Sequence, residues 1–305
     1  MTRYFYRIAT VDFKVTLPAV PKVFKSPLYQ KFQIKNNRPD FGLFFEEIEK
    51  KQDIYPFSFL SPGKIASLRK TISWSPRWEK NRILHSRQLV NKLTGALDRP
   101  GWTQVMLAFN RVVVRDFQNK QIYYLYPQGQ EKIFVDMDFR AMYRNLIAPF
   151  FVLFYGLLLH GGAVTHDQQS IVFHAPDEGG KTTFALNFES SCILSDDQVA
   201  IREEDDDFRI YGTPFGTMGG KTGPCRLGAI LMLEKSKNFR IEPVSPTVLI
   251  EFLWNEHKMI WMFLPIELRK RAFQLLADYC YSAPVYRLYF PRQGIDRDKI
   301  LSLLV

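Results

Sequence analysis

Residues 170–183 read SIVFHAPDEGGKTT. The first five are a short apolar strand and the last three open a helix. The segment from Ala175 to Thr182 fits [AG]-x4-G-K-[ST], and the strand before it and helix after it are the setting in which that pattern reads as a phosphate loop. The chemistry accounts for the spacing. Gly179 and Gly180 let the backbone curl so that successive N–H groups face one phosphate. The start of the helix adds a positive dipole end. Lys181 is placed to reach the β- and γ-phosphates, and Thr182 to put its hydroxyl on Mg²⁺. The expected nucleotide contacts are Ala175, Pro176, Asp177, Glu178, Gly179, Gly180, Lys181, Thr182 and Thr183. Ala175 stands where many such loops have Gly. Asp177 and Glu178 bring negative charge toward the phosphates, which is expected to weaken nucleotide affinity.

Working outward, a helix over Lys181–Phe188 leads to a strand Cys192–Ser195, expected to return parallel to the first. Its C-terminal end then lies beside the loop, where open α/β sheets bind ligands. Asp196 and Asp197 sit at that end. One carboxylate can hold Mg²⁺ directly or through water, and the other can accept a proton from an attacking hydroxyl. Upstream, His160 ends an apolar strand before Gly161-Gly162, open to either a core or a site role. His166 and His174 read as satisfied structural residues, and Glu203–Asp207 as a solvated turn. The Gly-rich stretch 216–223 reads either as a flap carrying Lys221 to phosphate or as an exposed loop. Arg287 and Arg292 flank the late strand and read either as surface residues, the favoured reading, or as residues that reach phosphate.

The remaining C-terminal elements are strands Val199–Arg202, Arg209–Tyr211, Leu227–Glu234 and Val285–Phe290, and helices Pro246–Trp254, Pro265–Tyr281 and one from Asp296. The N-terminal part is of another texture. Residues 1–20 alternate and predict one or two strands, Gln104–Val114 and Gln121–Tyr126 two more around a turn at Asp116–Lys120, and Lys132–Val135 a third. Residues 36–100 show poor periodicity and read as short helices with long connections. Phe139–Tyr155 reads as a helix. The fold class is thus α/β (α+β), with a small β-rich basic subdomain over 1–138 and a phosphate-loop domain over 139–305.

The charge divides the same way. Residues 1–150 carry 25 bases and 12 acids, and the remainder 16 and 19, within a net +10 for 305 residues. A basic half suits an anionic partner. Its bases gather at Arg69, Lys70, Arg77, Lys80, Arg82 and Arg87 around Trp74 and Trp78. Stacking of single-stranded nucleic acid on those rings is the less favoured use. Three scattered cysteines with no C-x-x-C spacing exclude a disulfide scaffold and a zinc ribbon, and point to a reducing, cytoplasmic setting. The N-terminus lacks the apolar core of a signal peptide. The longest apolar run, 146–159, is shorter than the roughly 20 residues a membrane span needs.

Taken together, LLHGGAV (158–164), the strand and loop, and LSDD (194–197) resemble the catalytic core of HPr kinase/phosphorylase, whose fold is phosphoenolpyruvate-carboxykinase-like. YGTPF (211–215) and LGAILMLE (227–234) look more like divergent members found with peptide-modification systems, including lasso-peptide kinases. The resemblance covers about 140–305. It implies ATP binding by Ala175–Thr182 with Lys181 on the phosphates, Thr182 and Asp196 as Mg²⁺ ligands, Asp197 as general base and His160 as an active-site histidine. The Glu-x-Arg-Gly-Leu-Gly segment of HPr kinases is replaced here by the Gly/Lys loop at 216–223, which argues against HPr as substrate and against phosphorylase activity. The expectation is an HPr-kinase-like serine kinase acting on a Ser/Thr hydroxyl of an acidic or hydroxyl-bearing peptide or protein, docked on the basic half. The alternatives are a catalytically weak nucleotide-binding regulatory or scaffold protein and a kinase of a small hydroxylated molecule. A homo-oligomer is compatible with the sequence.

Overall fold

The alternation near the N-terminus builds a hairpin. Strand β1 (Thr2–Ile8) pairs antiparallel with β2 (Val11–Leu17) around Ala9 and Thr10, whose φ values of 49° and 60° suit a two-residue connection. The computed structural model describes residues 2–17, 22–35, 38–48, 72–74, 103–108, 111–127, 146–219, 221–261, 264–291 and 295–304. It is a mixed α/β protein with two sheets and few helices among those residues.

The first sheet adds β3 (Phe41–Ile48), β4 (Ile72–Trp74), β5 (Thr103–Ala108), β6 (Arg111–Asp116) and β7 (Gln121–Pro127) in the order β1-β2-β3-β7-β6-β5-β4. A four-residue helix, α1 (Pro27–Gln30), follows the hairpin. The region is β-rich as expected, with two corrections. Residues 41–48 and 72–74 are strands where short helices were expected. The run 104–114 is two antiparallel strands rather than one, with Met106 opposite Val113. The turn at 116–120 is as expected, with the Asp116 carboxylate accepting from the backbone and side chain of Asn119. The expected strand 132–135, the start of the helix at 139, the 138/139 boundary and the basic cluster apart from β4 lie outside the described residues.

The second sheet holds β8 (Gly156–His160), β9 (Gly162–His166), β10 (Gln169–His174), β11 (Ile193–Ser195), β12 (Gln198–Glu204), β13 (Asp207–Tyr211) and β14 (Cys225–Lys235), in the order β11-β9-β10-β14-β13-β12-β8. Strand β14 changes neighbours along its length. Its start pairs with β13 and its end, in parallel, with β16 (Val285–Phe290), which carries β15 (Arg240–Pro243). Helix α2 (Lys181–Ala185) follows the loop; α3 (Pro246–Trp261), α4 (Ile266–Tyr281) and α5 (Arg297–Leu301) complete the described helices with the turns at 146–154. Helix α3 runs past the expected end at Trp254. The described part of the expected helix Phe139–Tyr155 is helical over 146–154, and the chain then passes through left-handed Tyr155, φ 54°, into β8. No helix among the described residues is long and apolar enough to cross a membrane.

The geometry that matters most is a double bend. Strands β8 and β9 are consecutive yet lie at opposite parts of the strand order, and so do β11 and β12. Ala163 pairs with Ser195 on one side of the bend and His160 with Gln198 on the other. Between them the Gly161 N–H donates to Asp197 O at 3.0 Å. Two ribbons therefore turn the same corner together. A Cβ on Gly161 would lie 2.6 Å from His174 Nδ1 and 2.8 Å from Phe173 O, so the corner admits only glycine without displacement. Strand β11 does run in the direction of β10, as expected, but β9 lies between them.

Apolar burial joins the sheets. One continuous cluster includes Tyr6, Phe13, Phe41 and Phe45 from the first and Leu159, Leu194, Ile210 and Leu276 from the second half. Phe41 stacks on Phe150 with ring centroids 5.5 Å apart. Arg202 of β12 donates to Phe154 O and to Ala9 O, each at 3.1 Å, and to the Thr10 hydroxyl, tying the first hairpin to the second sheet. A second cluster packs α2 through Phe184 against Phe173, Leu231, Leu288 and Phe290.

Candidate functional site at the double bend

Strand β10 ends at His174 and the chain turns sharply through Ala175–Gly180 into α2. Glu178 and Gly180 take left-handed conformations, φ 59° and 98°. A side chain at Gly179 would meet Ala175 Cβ at 2.6 Å. The two glycines serve the tight path the sequence predicts for them. The Lys181 ammonium is buried and donates to Ala175 O and Pro176 O, both at 2.9 Å, bridging the loop from inside. Asp177 and Glu178 are exposed at the rim, and Thr183 lies within the helix behind it.

The direction of β11 brings the carboxylate pair to the loop. Asp196 is 1 % exposed and takes four hydrogen bonds. Its Oδ2 accepts from Thr182 Oγ1 at 3.1 Å and Thr217 Oγ1 at 2.6 Å, and its Oδ1 from the N–H groups of Thr217 and Met218 at 2.9 and 3.0 Å. Such charge-assisted bonds are the strong ones. Thr182 and Asp196 are thus hydrogen-bonded to each other, and Asp196 also anchors the start of the Gly-rich stretch.

Asp197 turns the other way, toward His160. His160 Nε2 lies 3.3 Å from Asp197 Oδ1 and 3.5 Å from Asp177 Oδ1, while Nδ1 lies 2.8 Å from Glu256 Oε1 on α3. The predicted residues His160, Lys181, Thr182, Asp196 and Asp197 therefore gather around one corner of the sheet. Below them His174 is fully buried. Its Nδ1 donates to His160 O at 3.0 Å and its Nε2 accepts from the Tyr279 hydroxyl at 3.0 Å. Burial lowers its pKa to about 3, so the ring is neutral, in keeping with a structural role.

Other sequence candidates lie elsewhere. Lys221 does not reach the loop. It donates to Thr165 Oγ1 at 3.3 Å and, with Lys31, Gln168 and Cys225, lines a hollow of about 560 Å³ at the opposite end of β10. His166 is exposed beside Asp167 at the same end. Arg287 lies 3.9 Å from Glu234, and Arg292 is outside the described residues. Two residues escaped sequence reasoning. Glu256 is one acid on a helix about 75 residues downstream of the loop (a count along the chain), with no local pattern to flag it. Lys235 ends β14, whose parallel pairing with β10 brings its Cε to 3.3 Å from the Cβ position at Gly180. The signal available for Lys235 was position alone: ends of parallel neighbours emerge together. Among known proteins, no family model and no curated sequence matches the chain.

Proposed function

We propose that the chain is an ATP- and Mg²⁺-dependent kinase with a phosphoenolpyruvate-carboxykinase-like nucleotide core, transferring the γ-phosphoryl group to a Ser/Thr hydroxyl of a peptide or protein. The observation that carries this reading is the convergence of Thr182 and Asp196, 3.1 Å apart, with the Asp197–His160 pair beside the loop of Lys181. Lys181 and the backbone of Ala175–Thr183 would hold the polyphosphate. Asp197, partly exposed, would take the proton of the acceptor hydroxyl as it attacks. An all-oxygen donor set of one hydroxyl and one carboxylate fits Mg²⁺, which is usually held by one or two protein oxygens plus phosphates. Thr182 and Asp196 are the residues that would hold it, and the cation supplies charge neutralisation on the phosphoryl oxygens. Three free cysteines suit the reducing cytoplasm for such an enzyme.

The test is transfer of γ-phosphate to candidate acceptor peptides, read by mass spectrometry. Lys181→Ala and Asp197→Asn are each expected to lower kcat by about 100-fold or more. Transfer undiminished in both variants would sink the proposal. A second reading, a nucleotide-binding scaffold, has its own support: the Lys181 ammonium is tied to two loop carbonyls, and both Asp196 oxygens are occupied. ATP binding without turnover on any hydroxyl acceptor favours it.

A further inference from the structure

His160 is held from every side. Its N–H donates to His257 Nε2 at 2.9 Å and its carbonyl accepts from His174 Nδ1 at 3.0 Å. His257 Nδ1 donates to Leu253 O at 3.0 Å, which makes its Nε2 the accepting nitrogen. With the main chain fixed, only the two side-chain torsions of His160 remain, and the ring faces carboxylates at both nitrogens. The three acid side chains differ in exposure, 91 % for Asp177, 38 % for Asp197 and 27 % for Glu256. Glu256 also makes the shortest contact, 2.8 Å to Nδ1. An ionised carboxylate only accepts, so this contact puts the proton on Nδ1. Nε2 is then the atom presented to Asp197.

We infer that Glu256 is the positioning residue of the site, holding His160 as the Nδ1–H form with Nε2 against Asp197. Helix α3 delivers two consecutive side chains to one residue: Glu256 to the ring and His257 to its N–H. What the arrangement serves rests on the kinase reading above. As the acceptor oxygen bonds to the γ-phosphorus and the bond to the departing nucleoside diphosphate breaks, the hydroxyl proton goes to Asp197. It then passes to His160 Nε2, leaving an imidazolium beside Glu256, and from there to solvent. Glu256 touches neither substrate nor reacting atoms in this sequence.

The test uses the full chain labelled with ¹⁵N-histidine. Its five histidines give separable ring signals, and His160→Gln identifies the one from residue 160. Two-bond ¹H–¹⁵N spectra report which ring nitrogen carries the proton. The wild type is expected to show Nδ1–H at residue 160, Glu256→Ala to lose it, and Glu256→Gln, whose amide oxygen still accepts, to retain it. Alanine suits a helix interior, and Glu256→Met removes the acceptor while keeping bulk should the smaller residue unsettle the fold. In turnover, Glu256→Ala is expected to lower kcat about 100-fold, with KM for ATP within about two-fold and most activity recovered in Glu256→Gln. An Nδ1–H signal unchanged in both Glu256→Ala and Glu256→Met overturns the assignment, whatever the activity. A lost signal in a protein whose wild type transfers no phosphate supports the positioning role and overturns the kinase reading instead.

Discussion

Two buried polar residues next to the corner illustrate opposite solutions to desolvation. Asp196 stays buried because four donors surround it, and a buried carboxylate without such partners would be costly. His174 stays buried by remaining neutral, with one nitrogen donating and the other accepting. That choice has a measurable sign. Its pKa is lowered from 6.5 to about 3, so between those values the unfolded chain takes up a proton that the folded ring refuses. Stability is therefore full above pH 6.5 and falls as the pH drops through that window, by roughly 1 kcal/mol per pH unit from this residue. Urea unfolding of the wild type between pH 7 and 4 should show this slope, and His174→Gln should flatten it. Parallel slopes in the two proteins would contradict the assignment. The sequence spoke clearly at this scale for the tight turn from strand into helix at 175–181, whose spacing is local, and for His174 as structural. It was silent on Glu256, because contact between β8 and α3 depends on packing across almost a hundred residues.

Among elements, the strands that alternate or are rich in β-branched residues were legible, β1, β2, β7, β10 and β14 among them. Strand β3 was not. It lies between β2 and β7, buries Phe41, Leu43 and Phe45, and half-buries Phe44 between them. A strand covered on both faces loses its two-residue period, so alternation does not flag it. The β5–β6 reversal was missed because no Gly or Pro separates the two stretches to mark it. The double bend was half legible: Gly161-Gly162 marked a break, but which strands flank it is a long-range matter. Gly161→Ala tests the bend directly. With backbone and a buried ring inside 3 Å of the added methyl, a loss of about 1–3 kcal/mol is expected from denaturant titration. A variant as stable as the wild type would mean that the corner can widen.

For the molecule as a whole, the charge asymmetry does not correspond to two separate cores. Apolar contacts run from the first sheet into the second, and Arg202 spans the join with bonds to Phe154 O, Ala9 O and Thr10. Unfolding is therefore expected to be one cooperative transition, with circular dichroism and tryptophan fluorescence giving the same midpoint. Arg202→Ala should lower stability by about 1–3 kcal/mol while keeping that coincidence, since it removes hydrogen bonds but leaves the shared core. Two resolved transitions in the wild type would show that the halves melt independently.

The shared corner also sets which parts of the site can give way first. Each ribbon at the bend is laced to the other on both sides of Gly161, so neither straightens alone. The outer rim has no such cross-lacing: around Asp177 and Glu178 the loop is held by its own Gly179 N–H to Pro176 O bond and by the Lys181 ammonium on Ala175 O and Pro176 O. In native-state hydrogen exchange the amides of that outer ring should open well before Gly161 or Val199. His160, Asp196 and Asp197 would then keep their spacing through local fluctuations short of global unfolding, while the edge around them opens and closes over a fixed floor.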